Sequence, residues 1–96
     1  MKLRNVLKIL RDNSLALNRL GVKSLAVFGS TARNEASHSS DVDILATFIQ
    51  PPTFDRYIET KFLLEDLLGC KVDLVTQDGL KPLLGAKIEI EAVYVA

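Results

Sequence analysis

The chain has 96 residues, 48% of them apolar and 25% charged, and its Lys plus Arg count equals its Asp plus Glu count. That length makes one small domain, residues 1–96, which buries only about two-thirds of the surface its unfolded chain exposes and leaves little material for a separate recognition domain. The balanced charge gives no global field to draw the chain to nucleic acid or anionic lipid, so direct nucleic-acid binding is not expected, and no apolar stretch approaches the roughly 18 to 20 residues that span a bilayer.

From the N-terminus, Leu3, Leu7, Leu10 and Leu17 recur at helical spacing and predict an amphipathic helical region over about residues 2–20. Asn13-Ser14 interrupts it and can cap a second short helix, and Gly21 is a C-terminal stop. Lys2, Arg4, Lys8 and Arg11 make this start wholly basic, which reads as a solvated helix face before it reads as a contact patch for an acidic partner. Charges fall among its apolar positions, so it lacks the apolar run of a secretory signal. Residues 24–28, SLAVF, form a compact apolar run expected to be a buried strand. Residues 30–34 should open a short helix, and 35–40 form a polar loop. Residues 43–48 are the second strand, ended by Pro51-Pro52.

Phe54, Ile58, Phe62 and Leu68, with Tyr57, Leu64 and Leu67 beside them, predict a helix with a broad apolar face, stopped by Gly69. Residues 71–76 are the third strand and Gln77-Asp78-Gly79 a turn. Leu83, Leu84, Ile88 and Ile90 suggest a further helix that Pro82 and Gly85 weaken, and residues 92–95 suit a short terminal strand. Strands alternating with helices imply an α/β or α+β sandwich, a small mixed sheet flanked by helices. The single cysteine, Cys70, lies among apolar neighbours and reads as a buried, inert thiol. It cannot form an internal disulfide, which fits a reducing cytoplasm.

The chemistry concentrates between Gly29 and Asp43, GSTARNEASHSSDVD. Glycine permits the close approach or positive φ that a strand-to-helix turn requires. A helix opening at Ser30 aims unpaired N–H groups and its positive dipole end at a phosphate, and the Ser30 hydroxyl adds a donor. Alone, such a turn is more often a plain N-cap. Asp41 and Asp43 stand at i, i+2, so in extended chain both carboxylates point one way. They raise each other's pKa unless a cation neutralises them. Mg²⁺ takes one or two carboxylates and fills its other positions with water and substrate phosphates. Taken alone, Asp-x-Asp is more often a solvated turn. Asp73 lies inside an apolar strand, where a carboxylate is costly unless paired or metal-bound. If the strands carrying Asp43 and Asp73 are neighbours, the three carboxylates share one site. Two cations there, about 3.5–4 Å apart, would stabilise the attacking and leaving oxygens of an in-line displacement, or Asp73 could take the acceptor's proton.

Gly29-Ser30-x-Ala32-Arg33, then Ser40-Asp41-x-Asp43, then Asp73 on a later strand resembles the DNA polymerase β-type nucleotidyltransferase superfamily. The short length resembles its minimal nucleotidyltransferases, the MNT partners of HEPN-type toxins, and the likeness runs to the closing EAVYV. The resemblance implies that Gly29 and Ser30 bind the triphosphate of ATP, and that Asp41 and Asp43 bind Mg²⁺ with Asp73 supporting catalysis in a two-metal site. It further implies an antitoxin that transfers AMP to a tyrosine of a cognate HEPN ribonuclease toxin in the cytoplasm. An antitoxin acting by contact alone, an enzyme modifying a small molecule, and a dimer completing the site stay open. The family often has Gly where this chain has Asn34, a residue that tolerates the left-handed conformation. Arg33 could reach a triphosphate oxygen or, equally, pair with Glu35 or a helix-end carbonyl. His38 receives no role; Lys71 and Lys81 read as solvated before they read as phosphate contacts, and Tyr57 and Tyr94 as either modification targets or core edges.

Overall fold

The computed structural model describes residues 2–35, 41–77, 88 and 91–95. In chain order its elements are α1 (Leu3–Asp12), α2 (Ser14–Arg19), β1 (Val22–Phe28), α3 (Gly29–Ala32), β2 (Val42–Phe48), α4 (Phe54–Leu68), β3 (Val72–Thr76) and β4 (Val93–Tyr94). The break at Asn13 falls where expected. Its side chain, however, makes no cap to α2: the amide nitrogen donates back to Ile9 O at 2.7 Å, closing the end of α1.

The four strands form one mixed sheet in the order β3-β2-β1-β4. β1 runs antiparallel to both β2 and β4, and β2 runs parallel to β3. A parallel pair needs a crossover, and α4 supplies it. Thr53 Oγ1 caps its first turn by accepting from Arg56 N at 3.2 Å, and Gly69 ends it in the left-handed region at φ 69°. β1 begins two residues earlier than its apolar run suggested, because Val22 is buried and pairs with Phe48.

Alternation along the strands divides the molecule. Leu25 and Val27 of β1, Val42, Ile44, Ala46 and Phe48 of β2, and Val72 and Leu74 of β3 turn to one face. There they pack with Val6 and Leu10 of α1, Leu17 of α2, and Leu64 and Leu68 of α4 into the main core. The opposite face holds a smaller cluster, Ala26 and Leu45 beneath Ile88, with Phe28, Val75 and Ala92 against it. Ile88 is helical and buried; the rest of the helix expected over residues 83–90, and Asp78-Gly79, lie outside the described residues.

One expectation for α4 is corrected. Its buried residues are Thr60, Leu64 and Leu68, while Phe54 and Phe62 are 77% and 57% exposed. Residues two apart on a helix sit about 200° apart around its axis, so burying Leu64 turns Phe62 to solvent. α4 also serves edge strand β3: Tyr57 Oη donates to Leu74 O at 2.6 Å, and Glu65 Oε2 accepts from Val72 N at 3.0 Å. Both bonds use backbone groups that an edge strand otherwise leaves to water or to another chain.

Candidate active site

The ladder registers place Phe28 opposite Asp43, and Asp43 opposite Asp73. These three residues therefore form one row across β1, β2 and β3, on the face turned away from the main core. The neighbouring strands that sequence could only suppose are real. They bring Asp43 and Asp73 together, and Asp41 stands just before β2, exposed.

Asp73 is itself exposed, and this corrects the view of it as a charge stranded in an apolar strand. Val72 and Leu74 are buried on the core face, and the pleat turns Asp73 the other way. Its position, rather than the cost of its burial, ties it to Asp43. Asp43 is the half-buried member, and its carboxyl is pushed above the usual 3.8. Burial does most of this, helped by the charges of Asp73 and Asp41 and a hydrogen bond with Asp73, while the Arg33 charge works against it.

β1 ends at Phe28 in extended geometry and α3 starts at once at Gly29, φ 70°. A methyl group on Gly29 would collide with Asp43 Oδ2 and lie 3.1 Å from its Cγ. Glycine is required twice here, by the left-handed backbone and by contact with the carboxylate. Ser30 follows, half-buried, and its carbonyl accepts from Glu35 N at 2.8 Å to close the turn. Asn34 takes φ 57°, so the turn survives the exchange of glycine for asparagine. Its Oδ1 also accepts from Leu3 N at 3.1 Å, tying the start of α1 to the Gly-Ser turn.

Arg33 is engaged by carboxylates. Its Nε donates to Glu35 Oε2 and its Nη1 to Glu91 Oε1, each at 3.1 Å. The pairing with Glu35 was foreseeable from sequence. Glu91 lies 58 residues away and carried no local signal.

Among the described residues, no three His, Cys, Asp or Glu side chains are already gathered as a metal cage. A closed cage is not what Mg²⁺ requires, since water and phosphate oxygens supply most of its ligands. The donor set fits a hard divalent cation: facing oxygen ligands, one of them raised in pKa first by burial and then by its like-charged neighbours. His38, Ser39, Ser40 and Lys81 lie outside the described residues. Cys70 is half-buried with its thiol pushed up, chiefly by burial, which suits an inert side chain. No helix among the described residues is long and apolar enough to cross a membrane.

Residues 3–95 match the family described as nucleotidyltransferase domain. The chain is 46% identical over 77 residues to protein adenylyltransferase MntA of Thermococcus cleftensis, an alignment that spans 80% of this chain and 78% of the relative. A solved structure of a candidate minimal nucleotidyltransferase superimposes with a TM-score of 0.82 at 39% identity, over 97% of this chain and 95% of that one. The fold alone is shared, at 20% identity and a TM-score of 0.64, with a chain in the structure of a tri-AMPylated Shewanella oneidensis HEPN toxin in complex with MNT antitoxin. That alignment covers 98% of this chain and 68% of the other.

Proposed function

We propose that this chain, which belongs to the nucleotidyltransferase domain family, transfers AMP from ATP to a protein acceptor, a tyrosine of a cognate HEPN-type toxin, as a single minimal domain. The observation that carries the reading is the row in which Asp43 faces Asp73 while the Gly29 backbone presses on Asp43. It puts a phosphate-compatible turn and a cation-compatible pair of carboxylates within one side chain of each other. The adenylyltransferase name of the Thermococcus relative and the modified toxin beside the Shewanella antitoxin support the nature of the transfer and of the acceptor.

In this reading Gly29 lets the triphosphate approach the backbone, and Ser30 donates N–H and hydroxyl to its oxygens. Asp41, Asp43 and Asp73 would hold Mg²⁺, whose contribution when bound is to neutralise charge on the entering and leaving oxygens. Asp73, the most open of the row's members, also accepts the proton of the acceptor hydroxyl. That oxygen forms a bond to the α-phosphorus as the bond to the bridging oxygen breaks, and pyrophosphate leaves.

The test is intact mass spectrometry of the toxin encoded beside this chain, after incubation with the chain, ATP and Mg²⁺. A gain of one or more AMP units, absent with Asp43→Asn, is expected. A stable complex without any mass gain would replace this reading with an antitoxin that acts by contact alone.

A further inference from the structure

Arg33 is gripped from two directions: by Glu35 within its own turn, and by Glu91, which lies between Ile88 and Ala92 on the segment packed against the open face of the sheet. These bonds occupy two of the guanidinium's five N–H donors. Arg33 is also the last residue of the turn that starts at Gly29, its N–H donating to Gly29 O at 3.3 Å, and Gly29 touches Asp43. A guanidinium on a turn whose first residue touches Asp43 has an obvious alternative. Forked pairing with a carboxylate is its strongest geometry, and an arginine that took it would occupy the carboxylate oxygens a divalent cation needs.

From this geometry we infer that Glu91 is a positioning residue: with Glu35 it holds Arg33 off the carboxylate row, keeping the row's charge for a divalent cation. The inference rests on the nucleotidyltransferase reading of the site. Glu91 is the stronger of the two holders because its side chain is 33% exposed against 65% for Glu35, so less motion and less water compete with its bond.

The full-length chain, without nucleotide, should be titrated with Mn²⁺ and the free ion counted by electron paramagnetic resonance. Glu91→Gln is expected to weaken Mn²⁺ binding about three- to fivefold, the most that one exposed ion pair can hold back. Adding Arg33→Met to that variant should restore wild-type affinity or exceed it, because the competing cation is gone. Glu91→Asp, which keeps the charge on a shorter arm, should fall between. Circular dichroism melts check that all of them fold. Unchanged affinity in Glu91→Gln, or failure of Arg33→Met to restore it, overturns the clamp while leaving the metal site standing. A wild-type chain that binds no Mn²⁺ overturns both.

Discussion

The two faces of the sheet are built from alternate residues of the same strands and obey opposite rules. On the core face, Val42, Ile44, Ala46 and Phe48 of β2 meet Val6, Leu10, Leu64 and Leu68, all of them buried. On the other face the same strand presents Asp43, with Phe28 and Asp73 to either side and a three-residue cluster nearby. One face holds the strands still by removing apolar surface from water. The other keeps like charges together at some cost, because its backbone has been fixed from behind. Rigidity and reactivity are thus separated by a single step along the chain, from Asp43 to Ile44.

The sharpest way to break this comparison is to mutate those two neighbours. Asp43→Asn should lower nucleotide transfer by at least about 10²–10³-fold, the scale of losing a principal charge-stabilising group, with no fall in melting temperature. Ile44→Ala should do the reverse, costing about 2–5 kcal/mol of stability while kcat/KM of the fraction still folded stays near wild type. Chemical denaturation beside transfer kinetics measures both. If Asp43→Asn unfolds the protein, the open face is structural after all.

Gly29→Ala tests the seam where the faces meet. The left-handed backbone costs an L-residue about 1–2 kcal/mol, and the new methyl must displace the Asp43 carboxylate. Stability and transfer should fall together, unlike in either neighbour variant. A melt that drops by the backbone cost with normal transfer would show that Asp43 can move aside freely.

Much of this was legible in the chain. The Asp-x-Asp spacing, the glycine stops at 21 and 69 and the break at Asn13 each express a local rule, and local rules survive folding. The direct pairing of Asp43 with Asp73 was legible only as a condition, since strand order depends on the path of α4. What sequence could not give depends on rotation or on distance. Phe54, Ile58, Phe62 and Leu68 look like one core stripe because α4 is apolar on several sides, and only packing against the sheet keeps Leu68, adds Leu64 and leaves Phe54 and Phe62 outside. Arg33 and Glu91 meet across 58 residues, with no pattern in either neighbourhood to announce it.

A smaller effect should appear in the pH dependence. Asp43 titrates above its ordinary 3.8 in the folded chain. Without a cation the native state therefore holds that proton more tightly than the unfolded state does. The resulting stability is complete below 3.8 and is lost as pH rises through the raised value. Asp73→Asn removes the neighbouring charge that contributes to the rise, so the loss should become smaller and end at lower pH. Melts in a chelator across about pH 3.5–7 would show it; a wild-type slope of opposite sign would mean that the row is not short of counter-charge.

The smallest effect concerns the link between the two regions. α1 belongs to the core face, yet its first N–H is satisfied by Asn34, at the end of the turn that serves the open face. Lys2, at the N-cap position, supplies no side-chain cap of its own. Asn34→Gly keeps the φ of 57° free of strain and deletes only the bond, so it should cost no more than about 0.5–1 kcal/mol, the usual range for a helix cap. Asn34→Ala deletes the bond and adds the left-handed penalty of about 1–2 kcal/mol. The difference between the two variants then isolates the backbone term. If the bond only caps α1, KM for ATP is the same in wild type and Asn34→Gly. If it also sets the angle at which the Gly29-Ser30 turn leaves the sheet, KM rises in Asn34→Gly although stability hardly changes, and the core face would then act directly on the site it supports.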